Sequence, residues 1–277
     1  FNKTKTRLLV CPPGKTGSYT VPAGVTHIGD YAFFACSLDT VVMQNSLAEI
    51  GAFAFANCRK LSSASLPASV RFIGEAAFEG TLWLKNYSGD FVVAGNGILL
   101  LYKGTAEKVV IPNSVKTINL KAFYDCMTMK TVAIPATVTG IGDSAFSGCW
   151  ELQSVSIPDS VTSIGEFAFF DCIALAAASV SNNVKVIPAG CFKACEMLSS
   201  VRLSPSLTEI GVGAFCSDFN LLSVNIADTV TAIGEEAFMY CFKLDNYNMP
   251  SSLTTIADWS FHRTGVSRLV IPDSVTS

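Results

Sequence analysis

The sequence predicts an α/β-type repeat solenoid, with short parallel strands on the concave face and short helical or extended turns on the convex face. Two columns of residues and one local alternation predict it. Isoleucine recurs at Ile28, Ile50, Ile73, Ile118, Ile141, Ile164, Ile187, Ile210, Ile233 and Ile256, with steps of 22, 23, 45 and then six of 23. Five residues after each comes a phenylalanine, so ten of the nineteen Phe share one slot, from Phe33 to Phe261. Ala precedes that Phe in eight units, and Gly follows the Ile in seven. A fixed period of 20 to 50 residues decides the architecture before any secondary-structure assignment.

The elements of one unit follow in order along Leu152–Cys172, LQSVSIPDSVTSIGEFAFFDC. Val155 to Ile157 alternates with period two, as a half-buried strand does, and Pro158 ends the strand because proline cannot extend a ladder. Ser160 belongs to a column of Ser, Thr or Asn, among them Ser46, Ser69, Thr137, Asn183, Thr229 and Ser274. Its oxygens are expected to accept backbone amide bonds where the chain leaves the strand. Gly165 suits a tight bend, and the following EFAFFDC fits either a helical turn or a short extended piece that buries Ala168 and Phe169. The inward set is Leu152, Val155, Ile157, Val161, Ile164, Ala168, Phe169 and Cys172. One unit has no two-sided core, so neighbours must stack to bury the Ile and Phe columns.

The spacing L-x-x-V-x-I-P-x-S-V-x-x-I-G-x-x-A-F-x-x-C resembles the leucine-rich repeat, specifically the 23-residue class of BspA-like surface proteins (Treponema-type). Ten units carry it, so the resemblance spans nearly the whole chain. It implies a cell-surface or secreted protein used in adhesion and host contact, which is fold-level analogy and assigns no site.

Two segments depart from the repeat and match each other, with Phe1, Leu8, Leu9 and Val10 aligning onto Phe91, Ile98, Leu99 and Leu100. They are expected as variant hairpin-type units at 1–22 and about 82–112, the second around a Gly95-Asn96-Gly97 turn. The domain expectation is a single solenoid over 1–277, a fragment of a longer array, monomeric.

Composition narrows function. Half the residues are hydrophobic, only 15% are charged, and the net charge is −3. No basic surplus recruits nucleic acid or anionic membrane, and no apolar run reaches the ~18 residues of a spanning helix. Seven of the ten cysteines fall three residues after the repeat Phe, with Asp218, Thr81 and Thr264 in the same slot elsewhere. Stacked rungs hold such side chains parallel, so the expectation is a ladder of buried free thiols acting as small hydrophobes, without disulfides. There is no CxxC pair, so no metal site is expected. Gly14-Lys15-Thr16-Gly17 lacks the first glycine of a phosphate loop, since that position is Leu9. The two histidines, His27 and His262, lie some ten rungs apart. Neither a catalytic constellation nor a cofactor site is predicted.

Partner binding is then expected on the outward strand positions, which include Ser156, Ser179, Arg202, Asn225 and Asn248, with Asn246 in the next column. The face is small, neutral and hydroxyl-rich, and its C-terminal end is the stronger candidate because Arg and Asn enter there. Trp83 and Tyr87, in the irregular segment, form the second candidate. The functional expectation is a non-catalytic surface or secreted adhesion module for host or matrix proteins, with a glycan as a further partner class. The alternatives are an intracellular protein-interaction scaffold and a targeting or spacer domain of a larger protein.

Overall fold

The computed structural model describes residues 1–12, 14–267 and 270–276. The chain forms two compact units, Phe1–Gly104 and Thr105–Ser277, each a stack of rungs. In the second unit the strands Lys108–Val110, Thr131–Ala133, Ser154–Ser156, Ala177–Ser179, Ser200–Arg202, Ser223–Asn225 and Asn246–Asn248 make a seven-stranded parallel sheet in chain order. Register advances one repeat per strand, with Ser154 opposite Ala177 and Ser179 opposite Arg202. In the first unit Thr16–Thr20, Ser37–Val42 and Ser63–Ser65 make the equivalent three-stranded sheet.

All eight predicted inward residues of the Leu152–Cys172 rung are buried. The Phe column is a stack of near-parallel rings. Centroids are 4.8 Å apart from Phe123 to Phe146, 5.1 Å to Phe169 and 5.3 Å to Phe192. In the first unit Phe33, Phe55 and Phe78 stack likewise, at 4.8 and 5.2 Å. Ring spacing follows the roughly 4.8 Å strand spacing, so the ring in one repeat packs directly on the ring of the next.

The α/β label does not hold. Among the described residues the one α-helix is Leu82–Lys85, four residues capped by the Thr81 hydroxyl, which accepts the Leu84 amide. The repeat turns are neither helical nor extended. In all ten rungs the residues two before and two after the column Phe are left-handed, with φ from +49° to +72°, and only four of these twenty positions are Gly. In eight of the ten rungs both left-handed residues donate their amides to carbonyls of the following rung. Phe167, Phe169 and Asp171 donate their amides to Ala189, Cys191 and Lys193 of the following rung at 2.8–2.9 Å. A helix would use those donors locally. Here they tie rung to rung, which satisfies buried backbone groups that the thin rung cannot pair within itself.

A second set of parallel pairs was also not anticipated. The repeat Ile and the residue before it form two-residue strands, as in Thr117–Ile118, Gly140–Ile141 and Ser163–Ile164, or Val186–Ile187, Glu209–Ile210, Ala232–Ile233 and Thr255–Ile256. The fold is therefore a repeat β-solenoid with parallel strands and almost no helix. Segment 91–102 is an antiparallel hairpin, Phe91–Ala94 with Ile98–Tyr102, turning through Gly95 and Gly97 at positive φ. Within segment 1–22 the strands Arg7–Leu8 and Thr16–Thr20 instead pair in parallel with His27–Ile28 and Ser37–Val42.

Candidate functional site

Alternation along the three-residue strands turns Ser156, Arg202, Asn225 and Asn248 to solvent, with Ser179 half-buried. The middle residues Val155, Ala178, Val201 and Val224 are buried beneath them. Strand pairing thus places these five candidates in one row, one per rung. Asn246 lies in the last of these strands, but its side chain falls outside the described residues.

Arg202 is not a free anchor. Its Nε donates to Ser179 Oγ at 2.8 Å, Nη1 to Asn182 Oδ1 at 2.8 Å and Nη2 to the Val180 carbonyl at 3.0 Å. Asn182 in turn donates its amide and side-chain NH2 to the two oxygens of Asp159, at 2.9 and 3.0 Å. The Asn182 amide and side chain, and then the Arg202 charge, hold the Asp159 carboxyl below its usual range. The guanidinium is thereby fixed flat on the preceding rung, preorganised rather than mobile. Asp159 and Asn182 were absent from the sequence-based site. Their 23-residue spacing within the array was visible, but not the turn that brings them to Arg202.

Trp83 and Tyr87 lie in the other unit and do not join this row. Trp83 packs on Phe78 with centroids 4.7 Å apart and against Tyr87 at 5.8 Å, while the Tyr87 hydroxyl donates to the Val93 carbonyl at 3.1 Å. Both are half-buried, closing the core where the helical insertion replaces a regular rung.

All ten cysteines are free, and nine are buried. Five thiols of the column donate to the carbonyl of the preceding rung's Phe: Cys58 to Phe33 at 2.9 Å, Cys149 to Phe123, Cys172 to Phe146 and Cys195 to Phe169 at 3.2 Å, and Cys241 to Phe215 at 3.1 Å. Those thiols are hydrogen-bonded members of the ladder as well as small hydrophobes. Burial pushes Cys36 and Cys126 up to about 12 and Cys58 to about 11, so they are not nucleophilic thiolates near neutral pH. Asp218 fills the same slot fully buried. One carboxyl oxygen accepts the Cys195 amide at 2.9 Å, the other has no partner, and burial drives the group strongly toward its protonated form.

Four members of the Ser/Thr column work in the opposite sense to that expected, and the buried hydroxyls of Ser69 and Ser160 have no partner among the described residues. Ser46, Thr137, Thr229 and Ser274 donate to the carbonyls of Val25, Val115, Leu207 and Leu253 of the preceding rung. Of these four, among the described residues, Ser46 also accepts an amide, that of Gly24. The strand-exit carbonyls face the next rung and need donors, which hydroxyls supply. His27 pairs with Glu49 at 3.2 Å, and His262 packs by Trp259 at 5.0 Å. Among the described residues no three His, Cys, Asp or Glu converge as metal ligands, and no helix is long and apolar enough to cross a membrane.

A rung of this length, with a stacked Phe column, an inward Ile column and one outward polar strand row, defines a leucine-rich-repeat scaffold. The family described as BspA type Leucine rich repeat region (6 copies) matches residues 15–89, 100–218 and 175–277. The chain belongs to the BspA-type leucine-rich repeat family. A leucine-rich repeat protein from Eubacterium ventriosum shares the fold, at TM-score 0.63 and 24% identity over 91% of this chain and 78% of that one. One from Bacteroides ovatus aligns at TM-score 0.48 and 25% identity, covering 89% of this chain and 76% of its own. The leucine-rich repeat protein of T. pallidum aligns at 0.38 and 24% over 74% and 77%. No curated protein gives a significant match.

Proposed function

We propose that the chain is a non-catalytic binding module that engages a macromolecular partner, a host or matrix protein, through the strand row Ser156–Ser179–Arg202–Asn225–Asn248. The observation that carries this reading is the immobilised guanidinium of Arg202, held by Ser179, Asn182 and Val180 in the middle of an otherwise small, uncharged row. A flat face of this kind accepts a broad surface, and a preset Arg costs little side-chain entropy on docking. Membership of the family supports a surface or secreted setting. An intracellular interaction scaffold is the second reading, favoured by ten free cysteines, nine of them buried. Disulfides found in protein taken directly from its source would exclude a reducing compartment and overturn this second reading.

The test is binding of the full chain to immobilised extracellular-matrix and cell-surface proteins, alongside an Arg202→Ala/Asn225→Ala/Asn248→Ala variant and a Trp83→Ala/Tyr87→Ala variant. Saturable binding lost in the first variant supports the strand row. Loss only in the second moves the site to the helical insertion, and absence of binding anywhere overturns the adhesion reading.

A further inference from the structure

The first unit carries an aromatic and basic cleft on its turn face. Its cavity measures about 430 Å³ and is lined by Phe34, Ser37, Asn57, Arg59 and Lys60, with Cys36 and Ala35 behind them. Phe34 is 43% exposed and Tyr31 55%. The two rings meet edge to face at 5.7 Å, and Tyr31 is stacked on Phe53 at 5.1 Å. These rings sit in and beside the left-handed positions of successive rungs, Tyr31 at φ +56° and Phe53 at +54°, a conformation that turns them outward on a fixed backbone.

The charge is one-sided. No carboxylate lines the cavity, and among the described residues neither Arg59 nor Lys60 is paired with one. Nine Lys and Arg against six Asp and Glu give this unit a net charge of +3 within a chain of −3. Most backbone donors in the walls are already used: Phe34 to Tyr31, Ala35 to Ala56, Cys36 to Phe33, Asn57 to Glu79 and Arg59 to the Asn57 carbonyl. An extended peptide therefore finds no strand edge to pair with, and recognition falls to ring faces, a guanidinium, an ammonium, an amide and a hydroxyl.

We propose that this cleft binds an acidic saccharide, with the apolar face of a uronate ring against Phe34, its carboxylate on Arg59 and Lys60, and its hydroxyls on Asn57 and Ser37. Arg59 offers the planar fork that matches a carboxylate, and Lys60 a second charge. The cavity is within the range of small-ligand sites, roughly 300–1,000 Å³, which combine apolar walls with a few polar groups. The site is independent of the strand row, so each can fail alone.

Calorimetric titration of the full chain with a hyaluronan tetrasaccharide tests it, against chitotetraose as the neutral comparison, a heparin tetrasaccharide as the sulfated one and hexaglutamate as the acidic peptide. The expected result is saturable binding of the hyaluronan tetrasaccharide, at least tenfold tighter than chitotetraose or hexaglutamate. It should weaken at least tenfold in Arg59→Ala/Lys60→Ala and in Phe34→Ser, and stay unchanged in Arg202→Ala. All replaced side chains are exposed, and matching thermal melts establish that the variants fold. No hyaluronan binding, binding of heparin alone, equal binding of hexaglutamate, or affinity that survives Phe34→Ser overturns the proposal.

Discussion

Replacing Phe146 with Ala removes a fully buried ring from the middle of a continuous stack. The ring lies 4.8 Å from Phe123 and 5.1 Å from Phe169, nearly parallel to both. Buried Phe→Ala changes cost about 3–5 kcal/mol, combining lost transfer energy with the cavity left behind. Two severed ring contacts, each worth about 0.5–1.5 kcal/mol beyond burial, place this site at the upper end, about 4–5 kcal/mol. The rungs above and below are tied by cross-rung amide bonds through Phe123, Phe146 and their neighbours, so they cannot collapse to fill the hole. With a urea m-value of about 2 kcal/mol/M, the midpoint followed by circular dichroism falls by about 2 M. Ser156→Ala on the exposed strand row stays within about 0.5 kcal/mol of the parent. A Phe146→Ala midpoint within 0.3 M of the parent, on the order of 0.6 kcal/mol at that m-value, refutes the stacked-core reasoning.

Ala194, two residues after Phe192, has φ +63°. A left-handed non-Gly residue costs about 1–2 kcal/mol, and Gly gives back about 0.4–1 through the unfolded chain. Ala194→Gly therefore stabilises by roughly 0.5–1 kcal/mol in urea melts, where a helical site would lose about 1; destabilisation contradicts the turn geometry. Asp218 is held neutral by burial, with its folded pKa well above the unfolded value. Its contribution to stability is present in full below pH about 4 and declines as pH rises toward the folded pKa, as the unfolded carboxyl ionises. The urea midpoint should fall between pH 4 and pH 7 in the parent and less in Asp218→Asn, which should be the more stable at pH 7; parallel curves for the two proteins contradict this. Native protein at pH 8 should leave the nine buried cysteines unreacted with a small maleimide over minutes, with half-buried Cys126 as the one site of slow labelling, and all ten should react in denaturant. Rapid labelling of several thiols in the native state contradicts the buried ladder.

The core was legible because it is periodic: a Phe every 22 or 23 residues and a V-x-I alternation specify inward columns whatever the backbone does between them. The turn conformation was not, because EFAFFDC has the apolar spacing of a helical turn. Sixteen of its twenty left-handed positions across the rungs hold residues other than Gly, among them Tyr31, Phe53, Lys121 and Trp259, so the usual glycine marker is missing. The Ser/Thr column showed where hydroxyls were needed but not whether they donate, since that depends on carbonyls of another rung. The strand row emerged from alternation alone. The Asp159–Asn182–Arg202 linkage and the Phe34–Arg59–Lys60 cleft did not, because each joins residues a rung apart through turns with no regular secondary structure.

Through-hydrogen-bond NMR couplings on isotope-labelled protein read the cross-rung ladder directly. The structure predicts that the amide nitrogen of Phe146 couples to the carbonyl carbon of Ala168, and that of Phe169 to Cys191, across bonds of 2.8 Å. Couplings from Phe146 or Phe169 back to the carbonyl four residues earlier in its own rung would mean helical turns and contradict the account.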